Sequence, residues 1–418
     1  MRTEGVIPTL AVTRHQRRPS PSRRGGALGA LLMTLLLVGT VAAAQPGLTV
    51  WSYAPSFVAQ RWLQEQADAY ALATGTTVTV RTLDFGDLRG RLLESADDGP
   101  DLVVTIPHDW LPGLIEAGVV APLDGLVDDE TLRDVAPIAL EAFSSGGALF
   151  GLPVEITGVA LIHDRAQVEQ VPSDWEAFVD LARSYTGDGR FGFLYPYTDP
   201  FFSYGWWHAY GGYVFASSGA GGWDDDDLGL GGEPGYAAAR VLRDLRHGYG
   251  LLPASSDYGR MDGEFMARRT PMIINGTWAL GDYLQAGIDL GIAPVPTPPG
   301  AVRPWAPLVG VQGIVIGASA ADPAAALGFA LHLAGPEGAQ AYRDAGGVRI
   351  PVSDLAALEG GDVTAAFAAV LAAGELMPAT MALDDVWAPW TSAIRRVTQA
   401  ADTDLVTIID DLEGQLQR

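Results

Sequence analysis

The stretch Met272-Ile273-Ile274-Asn275-Gly276-Thr277-Trp278 carries the clearest chemistry in the chain. Its apolar opening reads as a buried strand. Asn-Gly is expected to turn the chain, which places Trp278 on a loop or first helical turn. That is the end of a strand where open α/β sheets bind ligands. An aromatic ring held there can stack on the apolar face of a sugar while polar neighbours bind its hydroxyls. The chain has 11 Trp, and several others also follow strand-like runs or lie beside acids. That distribution points to a cleft for a carbohydrate.

The elements that must position such a cleft can be read along the chain. Leu48 to Tyr53 is a strand, Pro55 to Ala73 a helix, Thr77 to Leu83 a strand and Asp87 to Ala96 a helix. Asp98-Gly99-Pro100-Asp101 turns into a third, buried strand, Leu102 to Ile106. This alternation predicts a doubly wound α/β unit. A second unit follows, with strands at Val159 to Ile162 and Met272 to Ile274 and helices at Asp174 to Tyr185 and Tyr236 to His247. Gly291 to Pro296 and Gly313 to Gly317 read as strands, Pro323 to Leu333 as a helix, and Asp362 to Gln417 as mostly helical. Gly219 to Gly235, with Asp224 to Asp227 in a row, reads as a solvated acidic loop.

Composition excludes several classes. At 418 residues the chain has room for two domains. Residues 1–44 read as a cleavable signal peptide: a basic start, an apolar run from Ala27 to Val41, then Ala42-Ala43-Ala44. The formal charge is −24. The signal holds six arginines (Arg2, Arg14, Arg17, Arg18, Arg23 and Arg24) against Glu4, so what remains is more acidic still. Nucleic acid and anionic membranes are therefore excluded as partners. The absence of cysteine excludes disulfides, thiolate catalysis and zinc–thiolate sites, and with them a lipid anchor on an N-terminal cysteine. Lysine is absent too, so no P-loop is possible. The expected localisation is periplasmic, free of the membrane.

Taken together, these segments resemble the maltose and maltodextrin-binding proteins, the soluble receptors of ABC sugar importers. The resemblance rests on an ordered set: Leu48-Thr49-Val50-Trp51, Thr74-Gly75, Asp98-Gly99-Pro100-Asp101-Leu102, His108-Asp109, Pro153 to Ile162, Asp199-Pro200-Phe201-Phe202 and Gly211-Gly212-Tyr213. It continues through Asp257-Tyr258, Phe265, Asn275-Gly276-Thr277-Trp278, Val295-Pro296-Thr297, Glu337-Gly338-Ala339, Met377-Pro378 and Val386-Trp387. It implies a two-lobed α/β periplasmic-binding-protein fold of type II, with a hinge. The N-terminal lobe is expected from 45–155 and 292–318, and the C-terminal lobe from 156–291 and 319–418. Crossings are expected near 155–158, 288–292 and 317–322. A maltose- or maltodextrin-type oligosaccharide would bind between the lobes of a monomer, and closure would present it to the ABC membrane subunits. No cofactor, metal or catalytic residue is expected.

The resemblance also implies site residues. Trp278 and Trp387 are the stacking platforms, with Trp390 one helical turn beyond. Asp109 accepts from sugar hydroxyls, with Trp110 where the family has an arginine. Asp199 and Phe201 stand where the family has Glu and Tyr. The family's Asp and Lys after the first strand become Pro55 and Ser56. Thr157 replaces the hinge-region glutamate, and Glu155, two residues earlier on the same strand face, is the substitute. Tyr53 and Asp84 complete the first-lobe set. His108 is read as structural. The competing reading is an extracytoplasmic glycoside hydrolase using paired carboxylates, for which the chain has acids in plenty but no Gly-x-Ser-x-Gly or His-Glu-x-x-His motif.

Overall fold

The structure, a computed structural model, describes residues 47–53, 56–95, 98–219, 222–352 and 363–417. The expected signal peptide, 1–44, and Pro55 lie outside these residues. The chain opens with β1 (Leu48–Ser52), α1 (Phe57–Thr74), β2 (Val78–Thr82), α2 (Phe85–Leu93) and β3 (Leu102–Pro107). Ser56 caps α1 by accepting from the Ala59 amide at 3.1 Å. β1 pairs in parallel with β2 and β3, as the strand–helix alternation predicts. Next come α3 (Leu111–Glu116), α4 (Pro137–Ala142), a short hairpin of β4 (Ser144–Ser145) and β5 (Ala148–Leu149), β6 (Gly151–Thr157) and β7 (Val159–Asp164).

The middle of the chain contributes α5 (Trp175–Ser184), β8 (Phe193–Leu194), α6 (Pro200–Ala209), the β9 (Phe215–Gly219) and β10 (Gly222–Leu228) hairpin, α7 (Gly232–Arg243) and α8 (Tyr258–Met266). It continues with β11 (Met272–Gly276), α9 (Leu280–Gln285), β12 (Leu290–Ala293) and β13 (Leu308–Ile316). The last part holds α10 (Pro323–Ala334), α11 (Pro336–Asp344), β14 (Ile350–Pro351), α12 (Val363–Leu371), β15 (Glu375–Leu376), α13 (Leu383–Val397) and α14 (Leu405–Leu416).

Two sheets organise these elements. The first has seven strands in the order β14-β6-β13-β3-β1-β2, with β15 also paired to β13. The second has the order β12-β7-β11-β8. The chain passes from the first to the second at Gly158, between β6 and β7. A Cβ there would lie 2.6 Å from Leu371 Cδ2 and 2.9 Å from the Leu308 carbonyl oxygen, so only glycine lets the crossing strand pass. It returns between Ala293 and Leu308, later than the expected 288–292.

The stretch from 319 departs from the expected lobe assignment. Ala326, Leu327, Phe329, Ala330 and Leu333 of α10, with Tyr342 of α11, are buried with Val50, Trp62 and Ile314 in the core of the first sheet. No crossing therefore occurs at 317–322; the chain meets the second core at Ile350 of β14 and then with α12, whose Phe367 and Leu371 pack with Ile162 and Ile273. The near-continuous apolar run of α10 supplies the layer that covers the first sheet. Two smaller expectations also change. Asp224 to Asp227 lie on β10, exposed, rather than in a loop. Asn275 and Gly276 extend β11 instead of turning.

β13 is flanked by two irregularities. Opposite Gly313 and Ile314 the partner strand skips Thr105, and opposite Gln312 and Gly313 it skips Val154. Thr105 takes the left-handed conformation, φ 67°, as the extra residue of a bulge does. For a β-branched residue this is strained by on the order of 1–3 kcal/mol. Bulges re-aim the side chains that follow them, and here the residues that follow are His108, Asp109 and Glu155.

The Gly158 crossing predicts that Gly158→Ala destabilises the protein by about 1–3 kcal/mol, the cost of forcing a methyl group into packed backbone. Chemical denaturation measures this, and unchanged stability would show that the crossing has slack.

Candidate functional site

The expected site residues divide between the two halves of the fold. In the first half, Tyr53 follows β1 and its ring meets Phe85 edge-on at 4.9 Å. Burial raises the Tyr53 pKa, and Glu155, Tyr342, Tyr258 and Asp109 raise it further. Tyr53 therefore sits electrostatically among Glu155 and Asp109 of its own half and Tyr258 of the other. Asp84 occupies the N-cap position of α2 but makes no capping hydrogen bond, and its side chain is exposed.

Asp109 lies in a single helical turn (His108–Trp110) directly after β3. Its Oδ1 is buried with no hydrogen-bond partner among the described residues. Burial pushes its pKa up to about 7, opposed by Arg89 and reinforced by Asp384. His108 beneath it is wholly buried. Its Nδ1 accepts from the Val311 amide at 3.2 Å, and its Nε2 lies 2.9 Å from the Met377 carbonyl. Burial lowers its pKa to about 4, so it is a neutral strut between β13 and the segment after β15. Trp110 departs from the sequence expectation. It is 5% exposed within the first-lobe core, with Phe85 at 4.7 Å and the Arg89 guanidinium at 5.9 Å. The short turn after Asp109 rolls position 110 inward, so its indole backs the wall instead of facing a ligand.

Glu155 is half-buried on β6 and pairs with Arg349 at 3.3 Å. Burial raises its pKa and Arg349 pulls it back. Arg349 is itself held over the rings of Tyr342 at 4.5 Å and Trp62 at 5.1 Å. Thr157, which replaces the hinge glutamate, is buried and its hydroxyl lies 2.8 Å from that of Thr277, tying the crossing strand to the turn that carries Trp278.

The residues of the second half are mostly aromatic. Trp278 is partly buried, with Phe201 at 6.3 Å and Phe202 at 6.2 Å, and its Nε1 donates to the Tyr258 hydroxyl at 3.0 Å. The ring folds back over Gly276, where a Cβ would lie 2.1 Å from it. That contact explains why Asn-Gly stays in the strand. Asn275 donates to the Tyr283 hydroxyl at 2.7 Å and its Oδ1 accepts from the Gly276 amide, which satisfies a fully buried amide. Asp199 caps α6, accepting from the Phe201 amide at 2.9 Å. Its surface is exposed, yet enclosing protein raises its pKa, as on a concave wall. Trp387, on α13, is half-exposed and stacks parallel to Trp390 at 6.2 Å. Trp390 is fully buried, so it supports the platform without extending it.

The two halves also touch at two further places. Arg89 of α2 reaches Asp384 of α13 at 2.5 Å. Asp282 of α9 accepts from the Phe57 and Val58 amides at the start of α1, at 3.3 and 3.4 Å. Sequence reading missed Arg89, Tyr258, Tyr342 and Arg349. Each is distant in sequence from the residue it serves, and only packing reveals the pairing.

A family model described as bacterial extracellular solute-binding protein matches residues 65–373. The chain belongs to that family. Its members are binding proteins rather than enzymes, and they act outside the cytoplasmic membrane. Among solved structures, the Thermus thermophilus maltotriose-binding protein, bound with maltotriose, is 39% identical; the match covers 88% of this chain and 99% of that one, with a TM-score of 0.84. The maltose–maltodextrin-binding protein of Alicyclobacillus acidocaldarius is 25% identical over 89% of this chain and 100% of that one, TM-score 0.79. The two-lobed α/β fold of type II follows from these matches. The maltotriose-binding protein of Pyrococcus abyssi is 28% identical over 48% of this chain and 43% of its own length. The maltodextrin-binding protein MdxE of Bacillus subtilis is 27% identical over 59% and 60%. The chain thus spans about half the length of the curated relatives it matches.

The buried acids set a pH dependence. A carboxyl whose folded pKa is raised binds more protons when native than when unfolded, so stability falls as pH rises. For Asp109 the window runs from about pH 4, the unfolded value, to about 7. Asp109→Asn is expected to flatten the decline between pH 4 and 7 in a thermal-melt series. An equal slope in the variant would show that Asp109 titrates normally.

Proposed function

We propose that this protein captures a maltotriose-class oligosaccharide between its lobes and delivers it to the membrane subunits of an ABC importer. One observation carries the reading. Two indoles of the second lobe, Trp278 and Trp387, keep part of their surface open, while carboxylates of the first lobe, Asp109 and Glu155, are buried without full neutralisation. Aromatic faces suit the apolar faces of pyranose rings, and carboxylates make strong, charge-assisted hydrogen bonds to hydroxyls. The Thermus and Pyrococcus relatives, named for maltotriose, support the same ligand class.

Tyr53, Asp84, Asp109 and Glu155 would bind from the first lobe, and Asp199, Phe201, Trp278 and Trp387 from the second. The protein would act as a monomer in the periplasm, released by cleavage after residue 44 and carrying no lipid. Sugar must favour the closed form for binding to drive closure. The glycoside hydrolase alternative finds no support in the family, whose members bind solutes.

Calorimetry with maltotriose tests the reading. Binding without release of reducing ends is expected. Trp278→Ala and Trp387→Ala should each weaken affinity by about 1–3 kcal/mol with little change in melting temperature. Turnover of the sugar, or full affinity in both variants, would contradict it.

A further inference from the structure

The two bulges beside β13 open onto the same place. The β3 ladder leaves out Thr105 and the β6 ladder leaves out Val154. Both residues line one small cavity, together with Gln312 of β13, Glu155 and Arg349. Trp62, from the core of the first sheet, gives it an apolar side. The polar residues are neighbours by register as well. Gln312 lies directly opposite Glu155 on the adjacent strand, so their side chains share a face. Arg349 immediately precedes β14, the strand on the other side of β6, and reaches the Glu155 carboxylate at 3.3 Å.

Polar atoms of this group are left unanswered. Gln312 is 8% exposed, and its Oε1 is buried and accepts no hydrogen bond among the described residues. Arg349 Nε is buried and donates none, so the approach of Glu155 is an ion pair without the alignment of a hydrogen bond. The guanidinium is held over the rings of Tyr342 and Trp62, at 4.5 and 5.1 Å. Buried groups of this kind need a partner, and here one is an acceptor and the other a donor. A single occupant must therefore both donate and accept. The cavity volume is about 10 Å³, the room one water molecule needs and no more. Glu155 and Arg349 carry opposite charges, so the place offers no net charge to attract an ion.

We propose that one water molecule is bound here as a permanent part of the first lobe, donating to Gln312 Oε1 and to the Glu155 carboxylate and accepting from Arg349 Nε. Three hydrogen bonds are the usual complement of a buried water. A bulge interrupts the ladder between strands, and a bridging water replaces part of what is lost. The water thus ties β13 to β6 where the strands are loosened, and it fixes the pair formed by Glu155 and Arg349. This site does not depend on which ligand the cleft takes.

The test uses the whole protein, as wild type and as Gln312→Met, which keeps the side-chain length and removes the acceptor. High-resolution crystal structures locate the water, oxygen-17 magnetic relaxation dispersion counts long-lived waters in solution, and amide exchange reads the bulges. In the wild type, density for one water is expected within about 2.7–3.2 Å of Gln312 Oε1 and Arg349 Nε. In Gln312→Met that density and one long-lived water should be lost, and the amides of 104–106 and 154–156 should exchange about tenfold faster. No water at that place in the wild type, or the same water kept in Gln312→Met, overturns the assignment. Loss of the water with unchanged exchange overturns its role in tying the strands. Should the variant fail to fold, the wild-type crystal decides the site by itself.

Discussion

Everything in this molecule depends on how closely one strand passes between two sheets. Gly158 lets β6 continue into β7 with Leu371 and the Leu308 carbonyl pressed against it. Beside the crossing, Thr157 at the end of β6 and Thr277 after β11 join their hydroxyls. The halves also touch at Arg89 with Asp384 and at Asp282 with the start of α1.

The two halves divide the chemistry. One half brings acids that burial leaves partly unsatisfied, and the other brings rings. Protein on most sides strengthens any hydrogen bond made to Asp109 or Glu155, because the local dielectric is low. The same burial raises the cost of leaving those groups unmet. A ligand with many hydroxyls and flat apolar faces relieves both halves at once. Glu155 is partly answered by Arg349, which two aromatic rings hold in place, so Asp109 is the less satisfied of the two.

Much of this was legible in the sequence. The first five elements follow from alternating apolar runs and turn residues, and their parallel pairing from the strand–helix order. Trp278 and Trp387 keep part of their surface open, and Glu155 lies half-buried on β6, paired with Arg349. What failed did so for identifiable reasons. Asn275-Gly276 has the composition of a turn, but a buried amide satisfied by Tyr283 and a ring folded onto Gly276 keep it in the strand. The apolar run of α10 announces a helix but not which sheet it covers. Trp110 occupies a ligand position in the family pattern, and nothing in one sequence reveals that the turn rolls it into the core beside Phe85.

The most direct measurement is a crystal structure of the protein grown with maltotriose. The account predicts pyranose rings lying across the open faces of Trp278 and Trp387, with a sugar hydroxyl within hydrogen-bond distance of Asp109 Oδ1. Sugar bound elsewhere, or a cleft that closes with those two indoles turned into their own core, would contradict it.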